Sequence, residues 1–181
     1  GKNYIRGDLK DYVIHFENDH IRCDVSLKGL AESYRHHTGQ FFFNEKKYFA
    51  WLPSVPEGKV EANITVDGRE LHLTGSGYHD HNWGNIGMFW LMHHWYWGRA
   101  KIGDYKVISS WITAGKKYGY KDHDVFMIVK GGQIIGDNSN HTLKFKPEGR
   151  YIDEYTGKPV YNKVIYEYTT ESGEEYRIAY H

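Results

Sequence analysis

Along most of this chain apolar and polar residues alternate with a period of two, and stripes at i, i+3, i+4, i+7 of useful length are nearly absent, so the pattern predicts an all-β fold. The clearest unit is KVEANITV (59–66), Asp67-Gly68, then RELHLTG (69–75): Val60, Ala62, Ile64 and Val66 share one face, Leu71 and Leu73 another. Asp-Gly between alternating strands predicts a tight hairpin, because both turn positions need positive φ. Two more hairpins are expected, in DVFMIVKGGQIIGD at Gly131-Gly132 and in VIYEYTTESGEEYRIAY near Ser172-Gly173. YVIHFE, IRCDVS, YFAWL, FWLMHHWYWGRA and YKVISSWIT bring the strands to about a dozen, at the spacing of an antiparallel sandwich or barrel. Closure into a barrel would remove the exposed edges.

Residues 137–162 break the rhythm with a polar, turn-rich run, which places a boundary near Asn138. Residues 1–137 are then one β domain, and residues 138–181 start or form part of a second. The chain ends in YRIAYH, a strand pattern without a taper, so the expectation is a piece of a longer two-domain β protein. Its 181 residues suffice for a core of ordinary size. Aromatic residues make up 17% of the chain against 4 prolines, which favours a ring-lined β interior over a helical bundle. Lys plus Arg (23) balance Asp plus Glu (23) without a basic run, so nucleic acid is not an expected partner. No run of 18 apolar residues exists to make an integral membrane segment, and the start, GKNYIRGDLKD, lacks the apolar middle of a signal peptide, so the expected location is cytoplasmic. Cys23, alone, cannot form an intrachain disulfide and reads as a buried structural thiol.

The densest chemistry is GYHDHNWG (77–84), a carboxylate between two imidazoles, followed by an amide and an indole and bounded by glycines. If the segment is extended, Tyr78, Asp80 and Asn82 face one way and His79, His81 and Trp83 the other. With the first set inward, the Tyr78 phenol can fix the proton of Asp80 while surrounding rings favour its neutral form, which makes Asp80 a candidate general acid. With the second set inward, His79 and His81 form an HxH pair that His93, His94 or His123 could complete as a metal site. The following NWGNIGMFW supplies no carboxylate ligand, and neither a metal nor any other cofactor is expected. A third reading is a polar corner in which Asp80 and Asn82 satisfy backbone donors around a glycine-bounded turn.

FWLMHHWYWGRA (89–100) concentrates Trp90, Trp95, Tyr96 and Trp97, and Trp51 stands in the similar YFAWL. Such strands serve as core or as the wall of a pocket for an apolar ligand, where π faces can stabilise a passing cation. We take Trp51, Trp83, Trp95, Trp97, His79, His81 and Asn82 as candidate substrate-binding residues around catalytic Asp80 and Tyr78. His36-His37 in SYRHHTGQ reads as a solvated loop, and Asp122-His123-Asp124 as the start of a strand. Ser76 lacks the strand-to-helix elbow that exposes a nucleophile.

At GSGYHDHNWGN (75–85) and WYWGRA (95–100) the chain resembles the carotenoid 1,2-hydratase and AttH-like family, also called hydroxyneurosporene synthase-like, which shares its lipocalin-like architecture with fungal Diels-Alderases. The resemblance runs from Tyr48 to Ala114. It implies a lipocalin-like, calycin-type barrel within a protein of two consecutive β domains, acting as a hydratase, isomerase or cyclase on an apolar alkene of secondary metabolism. It further implies that Asp80 protonates an isolated double bond beside Tyr78, with Trp51, Trp83 or a downstream tryptophan shaping the site. Two alternatives accompany this reading: a Diels-Alderase-type cyclisation catalyst, which needs no such acid, and a lipocalin-like carrier that transforms nothing.

Overall fold

The computed structural model describes residues 2–181. Thirteen strands follow one another: β1 (Tyr4–Gly7), β2 (Asp11–Glu17), β3 (Ile21–Gly29), β4 (Gln40–Phe42), β5 (Tyr48–Val66), β6 (Arg69–Gly84), β7 (Met92–Ile102), β8 (Tyr105–Ala114), β9 (Asp122–Lys130), β10 (Gln133–Gly136), β11 (Lys144–Ile152), β12 (Pro159–Thr169) and β13 (Glu175–Tyr180). The only helical pieces among the described residues are short 3-10 turns at Met88–Trp90 and Lys116–Tyr118. They form three antiparallel sheets, β1-β2-β3-β5-β4 with β6 paired to β5, then β10-β9-β8-β7, then β11-β12-β13. The fold is all-β, a curled antiparallel half-barrel of the lipocalin-like kind.

The hairpins arise where the turn chemistry predicts them. Asp67 and Gly68 take φ of 47° and 82°, and Gly131 and Gly132 take 59° and 86°. The curl of the first sheet comes from β5, whose pairing with β6 is irregular between Pro53 and Val55 and again between Val55 and Gly58. Proline cannot donate to a ladder, so Pro53 and Pro56 fall on those irregularities and the strand bends there. Its second half pairs with β3 from Gly58 to Val66, and its first residues pair with β4. At the bend Gly58 stands opposite Gly77, and a Cβ on Gly77 would lie 2.5 Å from Val60 Cγ2 and 2.8 Å from Leu27 Cδ1. The first glycine of the central motif is thus required by close approach.

The middle sheet is buried on both faces. Ile108, Ile112, Val125 and Met127 pack toward Phe41, Phe49 and Trp51 of the first sheet. Val107, Phe126 and Ile128 pack toward Tyr166, Tyr168 and Ile178 of the third. That arrangement explains why β9 reads as an unbroken apolar run, VFMIV, where the outer strands alternate.

Three local expectations change. Residues 89–91 were expected as strand, but β7 begins at Met92 after a 3-10 turn in which Phe89 and Trp90 are 90% and 71% exposed. Leu91 is the anchor instead, fully buried, with its carbonyl accepting from Gly115 N. Cys23 is free and only half-buried. His36 is not solvated: it is 9% exposed, stacked on Phe41, with the Tyr34 hydroxyl 2.9 Å from its Nδ1.

Burial, reinforced by the neighbouring His37, pushes the His36 pKa down to about 4, against the opposing pull of Asp124 and Asp137. A histidine depressed in the folded state binds its proton more readily when unfolded, so its stability contribution is present above the ordinary value near 6.5 and is lost as pH falls toward 4. Denaturant midpoints should report about 2 kcal/mol of lost stability between roughly pH 7 and pH 4.5, and His36→Asn should flatten that slope. An unchanged slope in the variant would assign the pH dependence elsewhere.

Candidate active site

β6 is extended through the central motif, and Tyr78, Asp80 and Asn82 alternate with His79, His81 and Trp83. Asp80 is the hub. Its Oδ2 accepts a hydrogen bond from Trp51 Nε1 at 2.7 Å and another from the Tyr78 hydroxyl at 2.8 Å. The indole N–H can only donate, so Oδ2 is held as an acceptor, and among the described residues no protein donor engages Oδ1. Asp80 pairs with Pro53 in the ladder, beside the bend in β5, and Trp51 pairs with Asn82. The kink at Pro53 thus belongs to the same short stretch that brings indole and carboxylate together.

Tyr78 is a locked phenol. Burial first, then its hydrogen bond to Asp80, raises its pKa well above the ordinary tyrosine value. The Arg99 guanidinium lies 4.7 Å from the centre of its ring, and the Trp97 ring 6.0 Å away. Trp95, Trp97 and Arg99 are successive same-side residues of β7. The alternate residues His94 and Tyr96 point to the other side, and Tyr96 meets Phe145 and Tyr161 of the third sheet at 5.5 and 6.3 Å.

Between these strands lies a cavity of about 190 Å³, bordered by Asp80 and Asn82 from β6, Phe49 and Trp51 from β5, and Trp95 and Trp97 from β7. Met88, Met92, Ser110 and Ile112 complete its wall. The lining is chiefly aromatic and thioether, with one carboxylate, one amide and one hydroxyl, and Ser110 Oγ already donates to the Tyr96 carbonyl. Such a hollow suits an apolar ligand with a single point of proton chemistry.

Of the residues singled out in the sequence, Asp80, Tyr78, Trp51, Trp95, Trp97 and Asn82 come together at this cavity or its edge. His79, His81 and Trp83 lie off it: His79 packs edge-on against Tyr12, burial holding its pKa below the ordinary value, and His81 stacks on Trp83. His93 and His94 approach each other instead, and among the described residues no three His, Cys, Asp or Glu side chains gather at metal-binding range. Phe49 and Arg99 were missed although the same alternation points to them, two residues from Trp51 and Trp97. Met88 and Met92 could not be found that way: a 3-10 turn delivers Met88, and a register shift between Met92 and His94 breaks the alternation at the start of β7.

A profile of the Diels-Alderase-like family matches residues 3–158. The chain belongs to that family. It is 28% identical over 83 residues to the quinolone epoxide rearrangement protein penF of Penicillium thymicola, covering 46% of this chain and 22% of that protein. It is 40% identical over 56 residues to a hydroxyneurosporene dehydrogenase of Chlorobaculum tepidum, covering 28% and 15% respectively. The solved structure of kievitone hydratase from Nectria haematococca superposes with a TM-score of 0.58 at 16% identity, over 98% of this chain and 55% of the hydratase. The chain therefore spans roughly a fifth of these curated relatives and half of that structural neighbour. The hydratase likeness shows the fold, and the family membership agrees with the resemblance carried by GSGYHDHNWGN and WYWGRA.

Proposed function

We propose that the protein is a cofactor-free enzyme of hydratase or isomerase type acting on an apolar terpenoid, carotenoid or polyketide-like alkene, with Asp80 as general acid. The observation that carries this is the pair of hydrogen bonds converging on Asp80 Oδ2 beside an aromatic cavity. With Oδ2 held by two donors, Oδ1, the oxygen without a protein donor among the described residues, is the one that would deliver the proton. Transfer to one alkene carbon leaves a carbocation on the other, and the π faces of Trp95 and Trp97 stabilise it. Water then adds and returns its proton to the Asp80 carboxylate, or the carbocation loses a neighbouring proton to the same carboxylate and the double bond has moved. Tyr78 and Trp51 hold the carboxyl group in one orientation throughout.

Membership in a Diels-Alderase-like family favours a second reading, in which the cavity selects one conformer for cyclisation and transfers no proton. A carrier without chemistry is the third. Turnover in deuterium oxide separates them: the acid mechanism places one solvent deuteron on carbon, the cyclisation changes connectivity without it, and a carrier returns its ligand unchanged. Product lacking carbon-bound deuterium would overturn the proton-transfer reading.

We also propose that residues 138–181 belong to a second β domain of a longer protein that works in the cytoplasm. Supporting the longer protein, Ile5, Phe16, Ile21, Val66 and Leu73 lie partly exposed on one apolar face of the first sheet. Further chain could cover that face. No helix among the described residues is long and apolar enough to cross a membrane.

A further inference from the structure

Three turns meet at one end of the molecule, beside the cavity. Asn85 Nδ2 donates to the Lys46 carbonyl, and Asn85 Oδ1 accepts from Tyr48 N, which ties residues 43–47 to the loop leading into Met88–Trp90. Gly115 N donates to the Leu91 carbonyl, which ties that loop to Lys116–Tyr118, and Phe43 meets Tyr118 at 5.6 Å.

The tips of these turns carry an unusual combination. Phe89 projects almost entirely and Trp90 largely into solvent, and Tyr120 is half-exposed. The same three joined turns and their flanks carry Lys46, Lys47, Lys116, Lys117 and Lys121 against Glu45 and Asp122. None of the five lysines forms an ion pair among the described residues, while Lys117 Nζ lies 4.9 Å from the Tyr118 ring centre. The chain as a whole is electrically balanced, so this end is locally cationic in a neutral protein.

We propose that this end docks on an anionic lipid surface, Phe89 and Trp90 inserting at the headgroup level and the lysines meeting lipid phosphates. Tryptophan and phenylalanine favour that boundary, and juxtaposed lysines are drawn to anionic headgroups. Met88, the residue before Phe89, lines the cavity, so a docked tip would set the hollow beside the phase in which an apolar ligand concentrates.

The test is co-sedimentation of the full chain with phosphatidylcholine vesicles containing about one-third phosphatidylglycerol, beside vesicles of phosphatidylcholine alone. Binding to the anionic vesicles is expected, weakened by added salt and lowered about tenfold or more by either Phe89→Ser with Trp90→Ser or Lys116→Glu with Lys117→Glu. The indole should also report directly, through a blue shift of emission on binding that Trp90→Phe removes. Circular dichroism of each variant checks that the fold is retained, and single substitutions replace any pair that fails it. No sedimentation with anionic vesicles, or sedimentation that both folded variants retain, would overturn the proposal. So would a concentration-dependent dimer that Phe89→Ser with Trp90→Ser dissolves without any vesicle binding, which would assign the aromatic tip to a second copy.

Discussion

Replacing Asp80 with asparagine should remove turnover and leave the fold intact. Asparagine keeps the size of the side chain and presents a carbonyl oxygen where Oδ2 stood, so Trp51 Nε1 and the Tyr78 hydroxyl can both still donate. What it lacks is a proton that can be released to carbon. General acid catalysis contributes about 10²- to 10⁴-fold, and kcat should fall by that factor while ligand binding changes by less than about twofold. Single-turnover kinetics with a retained circular dichroism spectrum and thermal midpoint is the deciding measurement. Loss confined to kcat supports proton transfer. A variant that keeps kcat within about tenfold would remove the general acid and leave the cyclisation reading, in which cavity shape carries the effect. Tyr78→Phe is the informative companion: it removes one donor to Oδ2 but not the acid, so its loss should be smaller than that of Asp80→Asn.

Much of this site is legible in the sequence. A strand has only two faces, so Tyr78, Asp80 and Asn82 had to share one, and the resemblance at the same residues selected that set for the site. The hairpin at Asp67-Gly68 was equally legible, because a local conformational demand and a local residue choice coincide there. What period-two alternation cannot say is which sheet a face meets. Trp95 and Tyr96 are neighbours of similar chemistry, yet one borders the cavity and the other packs on Phe145 from a sheet some fifty residues later. Residues 89–91 misled for a related reason: an apolar run fits a strand as well as a turn whose single buried member is Leu91. His36 misled because polar neighbours in sequence said nothing of Phe41, which stacks on it in space.

Phe126→Ala should lower stability far more than Asp80→Asn or Tyr78→Phe at the cavity. Phe126 is fully buried on β9, on the face opposite the cavity, with its ring 4.8 Å from that of Tyr168. Truncating a buried phenylalanine costs about 3–5 kcal/mol, since the lost transfer energy is joined by the unfilled space left behind. For a chain of this size that is a fall in the thermal midpoint of about 10 °C or more. The ring bridges the two parts that the sequence divides near Asn138, itself only 3% exposed, its side chain donating to Asp124 and accepting from Leu143 N. Because the second core draws on both sides of that boundary, we expect one unfolding transition that shifts as a whole. Below the new midpoint, turnover per folded molecule should be unchanged within about twofold, because Ser110 and Ile112 reach the cavity from the other face of the same sheet. Two separated transitions, only one of them moved by the substitution, would show instead that the second β domain proposed for residues 138–181 is not coupled to the first through this core.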